Sequence, residues 1–156
     1  MELLTQKPEK NPKFIYRGSP IPPEIRPIWK ISLIALILFK LCRAEKASPK
    51  KILVVCSLVS SHKKMKLLVE DPTLNESQIE VRLDPSVDRA IDIGLGEKLF
   101  KLDELKNIQL TERGANFSRR IMADSELFLE EKCFMSNFNK NFFSDSFINR
   151  LLEGRS

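Results

Sequence analysis

The chain has 156 residues, 42% of them hydrophobic, with 26 basic against 21 acidic side chains and a net charge of +5. That is enough apolar material for one core with appendages, and too small a charge excess to announce nucleic-acid binding by itself. Three cysteines without CxxC spacing and a single histidine, His62, argue against a disulfide frame or a zinc site and for reduced, mostly buried thiols in a cytoplasmic protein.

Met1 to Pro27 holds six of the nine prolines and little hydrophobic periodicity, so an extended arm is expected at 1-27. Its polar Glu2 and Gln6 to Lys13 do not read as a secretory signal. Ile28 to Arg43 predicts a helix that is apolar almost all round and is buried on several sides. Lys40 and Arg43 stop it short of the roughly 20 residues of a membrane span. Trp29, Leu33, Leu36 and Ile37 are assigned to the core, which leaves Ile34, Leu38 and Leu41 for the C-terminal helix or for a second protein. Ser48-Pro49 predicts a capped helix over Ile52 to Val59, and Ser61 to Val69 a further short one. Asp71-Pro72 closes it, Thr73 to Gln78 is a polar loop, and Ile79 to Leu83 reads as a strand or extended entry.

Asp84-Pro85 opens the next helix, with Val87, Ala90, Ile91 and Leu95 on its apolar side and Gly94 and Gly96 offering a left-handed end. Leu99 to Leu102 and Ile108 to Leu110 predict a hairpin, and Thr111 caps a long helix to about Phe138, with Gly114 admitting a close backbone. A short helix over Ser144 to Leu152 ends the chain. Five phenylalanines, Phe134, Phe138, Phe142, Phe143 and Phe147, crowd the last 23 residues. The fold expected is mainly α (α+β): a winged helix-turn-helix domain at 28-121 with a two-stranded wing, the N-terminal arm, and a helical, Phe-rich C-terminal extension at 122-156.

Catalysis needs converging ionisable groups, and none is legible. His62 lies in a Ser-Ser-His-Lys-Lys run that builds no nucleophile and base pair. Asp84, Asp88 and Asp92 share a helical face, but capping and solvation explain them before a cation does, and Gly94-Leu-Gly96 lacks the third glycine of a phosphate loop. No catalytic residue, cofactor, metal or small-molecule substrate is expected. In a DNA-reading winged helix, the helix before the wing enters the major groove. Here its exposed positions are Ser86, Asp88, Arg89 and Asp92, a net negative face that phosphates disfavour, with Arg89 expected to pair locally with Asp88 or Asp92. Between Lys40 and Lys66 eight basic residues stand against Glu45 alone. Lys46, Lys50, Lys51, Lys63, Lys64 and Lys66 are therefore the candidates for nonspecific contact with a duplex backbone.

Arg26-Pro27 before an apolar helix, then Val81-Arg-Leu-Asp-Pro85, Arg89-Ala-Ile-Asp92, Gly94-Leu95 and Leu110-Thr-Glu-Arg-Gly114 form an ordered set of signals. Over roughly Arg26 to Ile121 the chain resembles the small middle component of bacterial three-component systems built on an SMC-like or ABC-type ATPase, the Lamassu class of anti-phage defence. The resemblance implies a non-catalytic winged-helix subunit of an SMC complex that links a coiled-coil ATPase to an effector such as a nuclease. A protein-binding role accords with the arm and the tail, and Tyr16, Ile21, Ile34, Leu38 and the five C-terminal phenylalanines are the expected partner interface. The alternative is a MarR/PadR-like DNA-binding transcription regulator, dimerising through the long helix from Thr111.

Overall fold

The computed structural model describes residues 26–71 and 79–153. Among these the order is α1 (Pro27–Leu41), a 3-10 turn (Arg43–Glu45), β1 (Lys46–Ala47), α2 (Pro49–Val59), α3 (His62–Glu70) and α4 (Pro85–Gly96). Then come β2 (Phe100–Leu102), β3 (Ile108–Leu110), α5 (Glu112–Ala123), α6 (Leu129–Met135) and α7 (Asp145–Glu153). The fold is mainly helical with one small antiparallel sheet of order β1-β3-β2. The expected hairpin is β2 and β3, paired Phe100 to Leu110 and Leu102 to Ile108. The third strand, β1, pairs Ala47 with Ile108 and was not expected, because two residues carry no periodicity to read.

Helix α1 is the axis of the core. Leu33 through Leu38, and Leu41, are fully buried, and α1 packs against α2, α4, α5 and α6 as well as the sheet. Ile34, Leu38 and Leu41, left open by the pattern, are fully buried within the chain itself, so a second protein is not needed to cover them. Trp29 stacks against Phe128 at 5.3 Å between ring centroids, which ties the start of α1 to the segment before α6.

The helix starts follow their caps. Ser48 accepts from the Lys51 backbone N–H, Ser61 from that of Lys64, and Asp84 from that of Ser86, each satisfying a donor that a helix end leaves free. The end of α4 differs from expectation. Gly94 and Gly96 both lie inside the helix, and the left-handed residue is Lys98, at φ 65°. Gly94 is needed for a different reason: a Cβ there would run into the buried Phe100 ring of β2.

The expected helix from Thr111 to Phe138 is also corrected. It stops at Ala123, and Phe128 takes a left-handed conformation, φ 53°, before α6 begins. The apolar spacing Ile121, Phe128, Met135 runs straight across that break. Folding back lets α6 reach α1 and α3, burying Phe134 and Met135 on the same core instead of carrying them away on a straight rod. Phe143, Phe147, Ile148 and Leu151 join that core as α7 packs on α2.

One junction fixes α5 against the base of the hairpin. The Thr111 hydroxyl accepts from the Gly114 N–H at 3.0 Å and donates to the Lys98 carbonyl at 2.6 Å, and the Thr111 N–H donates to Leu99 O at 3.0 Å. The Leu99 carbonyl then sits where a side chain on Gly114 would begin. Farther along α5, Ser118 is fully buried with its hydroxyl 3.0 Å from Gly114 O and 3.2 Å from Ala35 O of α1, so small residues bring the two helices close. Alanine at position 114 would recover about 1 kcal/mol of helix propensity, but the clash with a backbone oxygen exceeds ordinary overpacking of about 1–3 kcal/mol. Gly114→Ala is therefore expected to lower the urea midpoint by a net loss of about 2 kcal/mol, and an unchanged midpoint would show that the junction is looser than drawn.

Candidate functional site

The basic segment does not form one free cationic strip. Lys46 pairs with Asp103 at 3.3 Å across the sheet, Lys50 donates to the side-chain Oδ1 of Asn149 on α7 at 2.8 Å, and Lys64 donates to Ser57 Oγ at 3.3 Å. Lys63 and Lys66 are exposed on α3 and Lys51 is half-buried on α2. The structure thus separates the six lysines: two tie elements together, one turns into a cleft, and three remain for solvent or a ligand.

Of the four α4 positions expected to be exposed, Asp88, Arg89 and Asp92 are, Ser86 is half-buried, and Ile93 is added at 36% exposure. The expected local ion pair is absent, since among the described residues no carboxylate reaches ion-pair distance of Arg89. An exposed pair of long side chains gains too little in water to hold one geometry.

The interface residues are also separated. Tyr16 and Ile21 lie outside the described residues. Ile34, Leu38, Phe134, Phe143 and Phe147 are buried in the chain's own core, and Phe138 and Phe142 are half-buried against it. The aromatic tail is a cluster in which Phe138 and Phe142 stack at 4.5 Å and Phe142 and Phe143 meet edge to face at 5.0 Å. The chain's own core thus takes up Ile34, Leu38, Phe134, Phe143 and Phe147, which do not face outward as expected, and only Phe138 and Phe142 keep partly exposed area.

A polar cleft of about 810 Å³ lies between α1, α2, α3 and the extended 79–84 segment. At its floor Lys30, 6% exposed, pairs with Asp84 at 3.4 Å, and Ser57 Oγ accepts from the Arg82 backbone N–H at 2.8 Å and from Lys64. Burial raises the Asp84 carboxyl, but the Ser86 backbone and hydroxyl, with the Lys30 ammonium, outweigh it and hold the group below its ordinary value. Desolvation holds Lys64 below the ordinary lysine value, with Arg82 adding to it and Glu80 opposing. Sequence reasoning missed Lys30, although a lysine inside an otherwise unbroken apolar helix was a signal that it needed a buried partner.

The turn of the β2–β3 hairpin is built on Asp103. Its carboxylate accepts from the Leu105 and Asn107 backbone N–H groups, both at 2.8 Å, from Asn107 Nδ2 at 3.1 Å, and pairs with Lys46. The Asn107 backbone bond leads in pushing Asp103 down to about 2, which outweighs desolvation. This fixed turn presents Leu105 at 80% exposure. Cys42 and Cys56 are buried thiols, which desolvation pushes up to about 11 and about 12, so both are inert at neutral pH, whereas Cys133 is exposed. No described helix is long and apolar enough to cross a membrane. No protein-family model, curated protein or solved structure matches the chain.

Two outcomes follow from these charges. Removing the acid of the Lys30–Asp84 pair strands a buried ammonium, while removing the lysine leaves a carboxylate that is 47% exposed. Asp84→Ala should therefore cost about 1–3 kcal/mol, less than a fully buried pair, and Lys30→Met clearly less, as read by urea denaturation; equal losses would mean the ammonium is not desolvated. Asp103 is depressed when folded, so its contribution is complete above the ordinary value of 3.8 and is lost as pH falls toward about 2. Thermal melts should show an acid-limb loss in that window that is reduced in Asp103→Asn, and identical limbs would count against the turn.

Proposed function

We propose that the chain is a winged-helix, non-catalytic bridging subunit of an SMC-like ATPase complex of the Lamassu anti-phage type, joining the coiled-coil ATPase to a nuclease-class effector. The order helix, strand, helices, then α4 followed by the β2–β3 hairpin, with strands arranged β1-β3-β2, supports the winged-helix reading, α3 being an additional helix before α4. The observation that carries the functional reading is the exposed face of α4, the helix a DNA reader would insert. Asp88 and Asp92 flank an unpaired Arg89, and the neighbouring hairpin tip sets Asp103 and Glu104 against the single cation Lys106, too little positive charge for a phosphate backbone. A sharply set wing tip that holds Leu105 out between charges of both signs suits a protein surface better than a duplex.

Contact with DNA is confined in this reading to weak, nonspecific attraction through Lys51, Lys63 and Lys66, the lysines the fold leaves without a side-chain partner. The break after Ala123 also shortens the helix on which a regulator of the MarR or PadR kind would dimerise. Affinity recovery of the tagged full chain from its native host, followed by mass spectrometry, tests the proposal. Recovery of a large coiled-coil ATPase in stoichiometric amount is the expected result; a lone chain or a homodimer would overturn it.

A further inference from the structure

A trough of about 600 Å³ runs between the start of α1, the end of α4 and one side of α5. Its apolar lining includes Ile28, 57% exposed, Ile93, 36% exposed, and the half-buried ring of Phe117. Three such side chains lining one trough make a patch, unlike the exposed Val69, Leu83, Leu102, Leu105, Leu127 and Leu129, which lie outside it. Along one rim stand Arg113 and Arg120, both exposed. Among the described residues neither guanidinium has an ion pair or hydrogen-bond partner, in contrast to Arg119 beside them, which donates to Asn116 and lies over the Phe39 ring. Glu97 is the only acid in the lining. The two arginines are seven residues apart on α5, about two turns or about 10 Å along its axis.

We infer that this trough is a docking site for an amphipathic helix of a second protein, laid alongside α5, whose apolar side covers Ile28, Ile93 and Phe117 and whose border carries carboxylates about two turns apart. The occupant is chosen by charge complementarity. Two free forked cations on one rim of an apolar channel recognise paired carboxylates bidentately, and a basic or neutral helix would leave them desolvated without partners. A helix rather than an extended strand fits because most of the lining lies on helices and the backbone of Leu99, which leads into β2, is already bonded to Gly94 and Thr111. The inference rests on the reading of the chain as a protein-binding subunit, and it specifies where and by what chemistry one partner is held.

The test is selection of a phage-displayed library of helix-forming peptides on the full chain, with affinities then measured by fluorescence anisotropy. The expected result is enrichment of sequences with apolar residues at helical spacing and Asp or Glu seven apart. Their binding should fall about tenfold or more in Arg113→Glu/Arg120→Glu and in Ile93→Glu, while circular dichroism shows the fold unchanged. Failure to enrich, enrichment of basic or non-helical peptides, or binding indifferent to both variants would overturn the proposal. So would competition by a synthetic peptide of residues 1–25, which would make the chain's own arm the occupant. A dimer of the full chain dissolved by the double arginine variant would overturn it too, in favour of a second copy. Selection needs no native partner, so its outcome is separate from recovery of an ATPase: acidic helices without an ATPase sink only the bridging role, and an ATPase retained by the double variant sinks only the trough.

Discussion

Helix α1 is apolar on every side, and the rest of the fold is the set of surfaces needed to remove it from water. A fifteen-residue helix with seven fully buried aliphatic and alanine side chains has no solvent face to spare. Covering a face of this kind is worth about 1.5–3 kcal/mol per large side chain against exposure, which outweighs the local preference of any one covering element. That imbalance explains why the chain folds back after Ala123, with Phe128 in a left-handed conformation, instead of continuing a helix that its periodicity would allow. It also explains why the phenylalanine-rich tail is consumed by the core. The buried charge of α1, Lys30, survives because Asp84 is held beside it by the cap of α4.

The close junctions around the hairpin determine what the surface can offer. Gly94 receives the Phe100 ring and Gly114 receives the Leu99 carbonyl, so α4, the sheet and α5 are locked together over the same few residues. With their inner sides committed, α4 presents Asp88, Arg89 and Asp92 outward, the Asp103-bound turn presents Leu105, and α5 presents Arg113 and Arg120 beside exposed isoleucines. The surface that results is acidic where a DNA reader is basic, and basic where an apolar channel opens. Both features suit recognition of proteins.

Much of the fold was legible where a local signal has one physical meaning. Ser48-Pro49 and Asp84-Pro85 mark their helices because a capping side chain and a proline each solve the problem of free N–H groups, and Gly114 marks a close approach. The hairpin was visible in two short apolar runs around a polar turn. What escaped was decided by tertiary packing. No glycine or proline announces the break between Ala123 and Leu129, β1 is two residues long, and the left-handed end of α4 fell on Lys98 because Gly94 was required elsewhere. The surface was read less well than the core. A run of lysines shows charge but not which ammonium groups already have partners, and an aromatic cluster shows apolar area but not whether the chain itself covers it.

Selection of bound duplexes from a random-sequence DNA pool by the purified full chain at moderate salt addresses the central claim most directly, that the face of α4 does not read DNA. No sequence should be enriched, and whatever binding exists should weaken steeply as salt rises, as backbone contact alone requires. An enriched motif whose recovery depends on Arg89 would contradict it, and would return this chain to the regulators of transcription.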